Sequence, residues 1–162
     1  MKSELRPLAV FDVDGTLADS GHRQHYLEGP RRDWDGFFAA AVDDPPLPEG
    51  VRLALSSAEE CEVRYLTGRP ERCRRDTLAW LAGQGLPEGR VYMRGNDDRR
   101  PARRTKLEIL RRLGREREVR MLVDDDELVC DAAERAGFAV VRARWATASA
   151  ALRDAQEREG RT

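Results

Sequence analysis

Residues 8–17 read LAVFDVDGTL, and this stretch decides how the rest of the chain folds. The apolar run from Leu8 to Phe11 predicts a strand that is buried on both faces of a parallel sheet. Asp12 and Asp14 follow two positions apart, so in an extended chain both side chains lie on the same side at the carboxyl end of that strand. Two such carboxylates repel each other and lose hydration, so a metal ion, a basic partner or a raised pKa must compensate them.

The composition favours a single domain over residues 1–162, because 40% hydrophobic residues are enough for one real core. Charged residues make up 36% of the chain, but the net charge is only −1, so no global field favours nucleic acid or an acidic partner. Arginine supplies all but two of the 29 basic residues, as is typical of a GC-rich coding sequence. Arginine-rich segments are therefore weak evidence for a function.

The cysteines and the amino terminus indicate a reducing compartment. Cys61, Cys73 and Cys130 show no C-x-x-C spacing, which predicts neither a disulfide framework nor a zinc site. Residues 1–7 contain no apolar signal region, and no run approaches the roughly 18 apolar residues of a membrane span. We therefore expect a cytoplasmic location and no membrane contact.

Residues 18–48 are polar and interrupted by glycine and proline, which predicts a small loop and helix insertion near the mouth of the first strand. Asp33 is placed to cap a short helix that carries Trp34, Phe37 and Phe38 on one face. We expect this aromatic face to pack against the domain, while a role in shaping a substrate site stays open.

The same insertion contains His22 and His25. Two histidines three residues apart can bind a metal, but no cysteine or third histidine joins them. A solvated loop is the better interpretation of this pair.

The remaining sequence alternates apolar runs with helical periodicity. Strands are predicted at 62–66, 90–94, 119–123 and 138–143, and helices at 49–60, 71–84 and 128–136, with another in the segment around Leu107, Leu110 and Leu113. A polar last helix from Ala146 is expected to fray at its end. This alternation predicts the α/β class with a doubly wound parallel sheet of about five strands, and such sheets bind ligands at the carboxyl ends of their strands.

Two further groups of polar residues stand at predicted strand ends. Thr67 and Gly68 follow the second strand, where a hydroxyl and free amides can hold a phosphate oxygen, although a capping threonine in an ordinary turn explains them equally well. The acids of residues 124–127 follow the fourth strand, and a hard divalent cation would relieve their repulsion. A helix start explains one or two of these acids, but not all four.

The DxDGT[LV] motif, the Thr-Gly-Arg turn, a lysine at Lys106 and the acidic run occur in the order in which the haloacid dehalogenase (HAD) superfamily of phosphohydrolases carries its four motifs. The chain resembles that superfamily over nearly its whole length. The resemblance implies a Rossmann-like core in which Asp12 attacks phosphorus and Asp14 protonates the leaving oxygen and later activates water. Thr67 and Lys106 would then clamp the phosphoryl oxygens, whereas Lys106 taken alone is most simply a solvated helix lysine.

The resemblance also implies Mg²⁺ as cofactor, held by Asp12, the backbone carbonyl of Asp14 and Asp124, with Asp125 as a second ligand. Which of Asp124, Asp125 and Asp126 takes which of these ligand roles is open by one position. The places where superfamily members insert a cap are short here, which implies a minimal cap and an open site. His22 and His25 would in that case be candidates to touch substrate.

Residues 92–106, YMRGNDDRRPARRTK, and residues 77–81, TLAWL, are similar to the phosphatase domain of phage-type polynucleotide kinase-phosphatases. That domain removes phosphate from the 3′ end of nucleic acids, and the P-loop kinase domain that accompanies it is absent here. The similarity implies Gly68, Arg69 and Arg94 as substrate-binding residues.

Three hypotheses follow from the sequence. The first is a Mg²⁺-dependent phosphatase of polynucleotide or nucleotide 3′ ends that works through an aspartyl-phosphate. The second is a phosphatase of small metabolites such as nucleotides or sugar phosphates. The third is a catalytically idle nucleic-acid-binding domain of the same fold, and no obligatory protein partner is evident in any of them.

Overall fold

The fold rests on one sheet of five parallel strands in the order β3-β2-β1-β4-β5. A computed structural model describes residues 5–146 and 150–162 of the chain. The strands are β1 Leu8–Phe11, β2 Glu62–Pro70, β3 Val91–Arg94, β4 Val119–Asp124 and β5 Val140–Arg142. The predicted α/β class with about five parallel strands is confirmed.

Helices cover both faces of the sheet. They are α1 Trp34–Ala39, α2 Pro48–Ser57, α3 Arg74–Gly83, α4 Ala102–Glu116, α5 Glu127–Arg135 and α6 Ala150–Asp154. Ala9 and Phe11 pack in one core with residues of α2 and α3, whereas Leu8 and Val10 pack in a second core with residues of α4 and α5. The apolar run of β1 is thus buried on both sides, as its sequence predicts, and the sheet is doubly wound.

The central position of β1 brings the carboxyl ends of three strands together. Phe11 is in register with Tyr65 of β2 and with Val123 of β4. The Asp12 amide donates a hydrogen bond to the Val123 carbonyl at 2.9 Å. Because all strands are parallel, the residues that follow them emerge at the same edge of the sheet.

The insertion of residues 18–48 forms a compact cover above this edge. Asp33 caps α1 by accepting a hydrogen bond from the Gly36 amide at 2.9 Å. The aromatic face of α1 is buried against Leu27, Leu152 and Ala155, so its predicted packing against the protein is confirmed. Two of these three partners belong to the C-terminal segment, which the sequence did not place there.

The expected fraying of the C-terminal helix is wrong for the described residues. After α6 the backbone continues as one π-helical turn, Ala155–Glu159, and Gln156 and Thr162 are buried. The segment is tied down by ion pairs of Arg32 with Asp154 and Glu159, and of Arg103 with Glu157. These pairs join distant parts of the sequence, so helical periodicity could not reveal them. Residues 147–149 of the expected helix lie outside the described residues.

Strand β2 is longer than the apolar pattern predicts. It continues from Leu66 to Pro70, where Pro70 is in register with Arg94 of β3, and a 3-10 turn at Glu71–Cys73 separates it from α3. Thr67 and Gly68 therefore lie in extended backbone, not at a helix start. Helix amides are therefore not available beside Thr67, because β2 pairs with β3 again at Pro70 after a register shift that follows Leu66.

The cysteines are free thiols: Cys61 and Cys130 are buried, and Cys73 is partly buried. This agrees with the prediction that they form no disulfide framework. Among the described residues, no helix is both long enough and apolar enough to cross a membrane.

Truncation of Leu110 tests the packing of α4 on the sheet. Leu110 is fully buried, so Leu110→Ala should lower the free energy of unfolding by about 2–5 kcal/mol in urea denaturation. Leu78→Ala is the matched control because Leu78 is 44% exposed, and its cost should stay below about 1 kcal/mol. Equal losses for the two variants would contradict the described packing.

Candidate active site

Lys106 is the positive centre at the carboxyl edge of the sheet. Its ammonium donates hydrogen bonds to Asp12 Oδ1 at 2.9 Å and to Asp124 Oδ2 at 2.7 Å, and all three residues are buried. Burial by itself would lower the pKa of Lys106, but the two carboxylates outweigh it and raise that pKa above its ordinary value. Lys106 therefore stays charged in the protein interior, and the solvated helix lysine is excluded.

Three carboxylates crowd around this single ammonium. Oxygens of Asp12, Asp124 and Asp125 lie within 4.8 Å of one another. Burial raises the pKa of Asp12 to about 8, with a further contribution from Asp125 and opposition from Lys106. Burial likewise raises the pKa of Asp124 and of Asp125 to about 7. The positive charge near these three carboxylates therefore does not offset the cost of burying them in ionised form.

Asp125 shows where a cation would fit. Its Oδ1 atom is buried and has no hydrogen-bond partner among the described residues, although buried polar atoms almost always have one. Carboxylate oxygens are the preferred ligands of hard divalent cations such as Mg²⁺. The unpartnered oxygen, together with its two neighbouring carboxylates, fits such an ion.

Asp126 has a different task. It is the N-cap of α5, where its Oδ1 accepts hydrogen bonds from the amides of Leu128 at 2.9 Å and Val129 at 3.4 Å. Of the three aspartates, Asp124 and Asp125 are therefore the candidate metal ligands, and Asp126 is the helix cap.

Gly15 allows the acidic loop to approach the first motif. Its φ is +80°, and a Cβ atom built on it would lie 2.1 Å from Asp125 Oδ2. Any side chain here would both strain the backbone and push Asp125 away from Asp12. The glycine after Asp14 is thus required by geometry as well as by the turn.

Asp14 lies in a second, separate cluster of charges. Arg69 contacts it through two nitrogens, Nη2 to Oδ1 at 2.7 Å and Nε to Oδ2 at 3.0 Å, and Arg23 Nη2 donates to Oδ1 at 2.6 Å. Burial would raise the pKa of Asp14, but the Arg69 and Arg23 guanidiniums outweigh burial and hold it well below its ordinary value. Asp14 is therefore a carboxylate at neutral pH in this arrangement.

Arg23 and Asp44 are the residues that sequence reasoning missed. Both are buried, and Arg23 Nε donates to Asp44 Oδ1 at 2.8 Å, while Arg69 Nη2 lies 3.4 Å from Asp44 Oδ2. Trp80 Nε1 donates to the Asp44 backbone carbonyl at 2.9 Å and so fixes this part of the insertion. One arginine in so arginine-rich a chain carries no signal, and Asp44 belongs to no motif.

His22 takes part in this cluster from its outer side. Its Nε2 lies 2.6 Å from Asp44 Oδ1, and its side chain is partly exposed. His25 is exposed and its ring lies beside Tyr26, with 4.2 Å between ring centroids. Within residues 5–146 and 150–162, the candidate metal group contains neither histidine.

Thr67 and Lys106 reach a cavity of about 270 Å³ between β3 and α4. Tyr92 and Arg94 line the same cavity. Thr67 is buried, and its Oγ1 accepts a hydrogen bond from the Arg69 amide at 3.2 Å. A phosphate oxygen held by Thr67 would therefore lie close to the Lys106 ammonium.

The residues predicted to bind substrate make other contacts in this structure. Arg69 holds Asp14, and Gly68 accepts a hydrogen bond on its carbonyl from Arg94 Nε at 3.1 Å. Arg94 also donates to the carbonyls of Asp98 and Arg100, at 3.2 and 2.6 Å, and burial lowers its pKa to about 10. Positioning of the loops around the site is the role that these contacts support for Arg94.

Stabilisation by a divalent cation tests the carboxylate group without relying on activity. Mg²⁺ at about 100 times its dissociation constant should raise the melting temperature by about 5–10 °C. Asp125→Asn should lose most of this shift, because it removes a charged ligand oxygen. Asp126→Asn is the matched control, since asparagine also caps helices and the shift should persist. Loss of the shift in Asp126→Asn alone would reverse our assignment of the two residues.

Replacement of the buried Arg23 tests the charge balance of the cluster around Asp14. Arg23→Gln leaves two buried carboxylates with one guanidinium, so the free energy of unfolding should fall by about 3–5 kcal/mol. Chemical denaturation measures this loss. Arg52→Gln, an exposed arginine on α2, should cost less than about 0.5 kcal/mol. If Arg23→Gln lowered the free energy of unfolding no more than the control does, Arg23 would not compensate the buried Asp14 and Asp44 carboxylates as described.

Comparison with known proteins places this geometry in a family. A family model for the polynucleotide kinase PNKP phosphatase domain matches residues 7–145. A chain of the Pnkp1/Rnl/Hen1 complex has a similar structure, with a TM-score of 0.74 and 20% identity over 90% of this chain and 48% of that chain. A haloacid dehalogenase-like hydrolase from Streptococcus pneumoniae gives a TM-score of 0.62 and 14% identity, covering 96% and 93% of the two chains. No curated protein matches.

A HAD-family enzyme from Bacteroides thetaiotaomicron, solved with magnesium and inorganic phosphate, gives a TM-score of 0.52 and 10% identity over 91% and 98% of the chains. At these identities the structures show a shared fold only, and this chain spans about half the length of the Pnkp1/Rnl/Hen1 chain. The family model, in contrast, covers most of this sequence and all four motifs of the site. The chain therefore belongs to the family of polynucleotide kinase PNKP phosphatase domains and is a HAD-type phosphatase.

Proposed function

We propose that this phosphatase hydrolyses phosphomonoesters at polynucleotide 3′ ends, with Asp12 as nucleophile and Mg²⁺ as cofactor. The observation that carries the proposal is the burial of Asp12 between the Lys106 ammonium and two further carboxylates. A carboxylate in such a place is useful only when a cation and an anionic substrate complete the site.

In the first step an oxygen of the Asp12 carboxylate attacks phosphorus, and the bond between phosphorus and the ester oxygen breaks. Thr67 and Lys106 bind the phosphoryl oxygens, and Lys106 favours the ionised form of Asp12 against the effect of its burial. Asp12, Asp124, Asp125 and the Asp14 carbonyl would hold Mg²⁺, which would supply positive charge to offset that of the nucleophile and the phosphate. The product of this step is an aspartyl-phosphate on Asp12.

Asp14 handles the protons in both steps. It protonates the leaving ester oxygen in the first, and in the second it takes a proton from the water that releases phosphate. Its low pKa keeps it ionised, as the proton acceptor of the second step must be, although so acidic a group is a weak base. The first step needs the protonated acid, so we infer that substrate binding breaks one of its contacts with Arg23 or Arg69.

The substrate class rests on the family and on the neighbouring structures. The matched family is named for polynucleotide kinase, and one similar chain comes from a structure described as the Pnkp1/Rnl/Hen1 RNA repair complex. We therefore propose a phosphorylated nucleic-acid end as the partner of the site. Free cysteines suit the reducing cytoplasm that we propose as its location.

A small-metabolite phosphatase is the second candidate. The cavity beside Thr67 and Lys106 is about 270 Å³, a size that suits a compact ester such as a nucleotide or sugar phosphate. The catalytically idle nucleic-acid-binding domain is disfavoured, because all the catalytic positions are filled.

Phosphate release separates these candidates. The enzyme should release phosphate from 3′-phosphorylated oligonucleotides in Mg²⁺ and not in EDTA, and Asp12→Asn should lower kcat by at least about 1,000-fold. The panel also includes nucleoside monophosphates, sugar phosphates and an aryl phosphate. Release from the small esters alone would contradict our substrate proposal and support the small-metabolite phosphatase. If no ester released phosphate, the catalytically idle nucleic-acid-binding domain would be the remaining hypothesis.

A further inference from the structure

Three arginines, which we call the rim arginines, meet beside the candidate active site. They are Arg72, which follows β2, Arg99, which precedes α4, and Arg161 in the C-terminal segment. Asn96 joins the first two, because its Oδ1 accepts from the Arg72 amide at 2.9 Å and its carbonyl accepts from Arg99 Nη1 at 2.6 Å. A Cβ atom on Gly160, the residue before Arg161, would lie 2.0 Å from the Arg99 carbonyl. Only a glycine allows this approach.

An aromatic floor holds two of the guanidiniums in place. Trp34 and Phe38 of α1 are stacked with 5.6 Å between ring centroids. The Cζ atom of Arg161 lies 5.3 Å from the Trp34 ring, and that of Arg72 lies 5.3 Å from the Phe38 ring. Both rings are more than nine-tenths buried, so they support the arginines and are not free to stack on a nucleic-acid base.

The positive charge of the rim arginines is poorly compensated. Among residues 5–146 and 150–162, no carboxylate lies within 4 Å of the Arg99 or Arg161 guanidinium, whereas Arg32 and Arg103 of the same region have ion pairs. Arg72 reaches only Asp35, at 3.9 Å, and the Asp35 side chain is 97% exposed. Burial, and then the neighbouring Arg99 and Arg72, lower the pKa of Arg161, and the more distant Glu159 and Asp35 carboxylates oppose this shift without cancelling it. Repelling cations gathered on a rigid support form an anion site.

The rim arginines lie beside the place where phosphate would bind. A Cβ atom on Gly68, the residue after Thr67, would lie 2.3 Å from the Thr162 backbone carbon, and Thr162 directly follows Arg161. Arg72 is the third residue after Arg69, which holds Asp14. The segment that carries Arg161 thus packs against the residue next to Thr67, so a strand whose 3′ phosphate lies at Thr67 can reach the rim arginines.

We propose that the rim arginines bind an internal phosphodiester of the substrate strand, next to its 3′-terminal phosphate. This inference rests on the proposed function and adds the groups that distinguish a polynucleotide from a mononucleotide. Phosphate contacts of this kind are independent of base sequence and weaken with salt.

The test compares substrates that have and lack an internal phosphodiester. For the double variant Arg99→Gln/Arg161→Gln, kcat/KM on a 3′-phosphorylated hexanucleotide should fall about tenfold at low salt, the scale of one to two lost charged contacts. On a nucleoside 3′-monophosphate it should change less than about twofold. The slope of log kcat/KM against log salt on the hexanucleotide should become shallower by about 0.7 per lost phosphate contact.

Arg135→Gln is the matched control, because Arg135 is exposed at the end of α5 and makes no ion pair within 4 Å with any carboxylate in the described part of the chain. Thermal unfolding of each variant excludes a folding defect. Equal losses on both substrates, no loss on the hexanucleotide, or the same loss in Arg135→Gln would overturn the inference while leaving the proposed function intact. A wild-type enzyme that hydrolyses only the mononucleotide would overturn the polynucleotide proposal itself, and the inference with it.

Discussion

The Lys106 ammonium binds the Asp12 and Asp124 carboxylates at the point where the central strands of the sheet end. Asp125 adds a third buried carboxylate to this group, and its Oδ1 has no hydrogen-bond partner in the described part of the chain. The neighbouring cluster differs, because Asp14 and Asp44 are matched there by two guanidiniums. One half of the site is thus balanced in charge without a ligand, while the other half lacks positive charge, which a divalent cation would supply.

The two clusters divide the chemistry between them. The first holds the proposed nucleophile, Asp12, and the candidate metal ligands. In the second, Asp14, to which we assign the proton transfers, is bound by Arg23 from the 18–48 insertion and by Arg69 in β2. An insertion too small to be a separate cap therefore still reaches into the site, and it does so with a buried arginine.

The sequence predicts the parallel sheet, its strand buried on both faces and the meeting of Asp12 and Asp124, because strand ends in a parallel sheet are brought together by topology. Lys106 lies on a helix, and only the resemblance to the superfamily motifs predicts its place in the site. It does not predict Arg23 and Asp44, since either could find many partners in a chain so rich in charge. It also misses the C-terminal segment over α1, whose ion pairs connect residues more than a hundred positions apart. The extension of β2 is missed for a local reason, because the polar residues after Leu66 read as a turn.

Covalent trapping tests the central claim most directly. Enzyme mixed with excess 3′-phosphorylated oligonucleotide and Mg²⁺ is quenched in acid within a turnover, digested and examined by mass spectrometry. The account predicts one phosphoryl group on the peptide that contains Asp12, more of it in Asp14→Asn because the release step is slowed, and none in Asp12→Asn. A phosphoryl group on another peptide, or full turnover with no covalent species in either Asp12-containing enzyme, would contradict it.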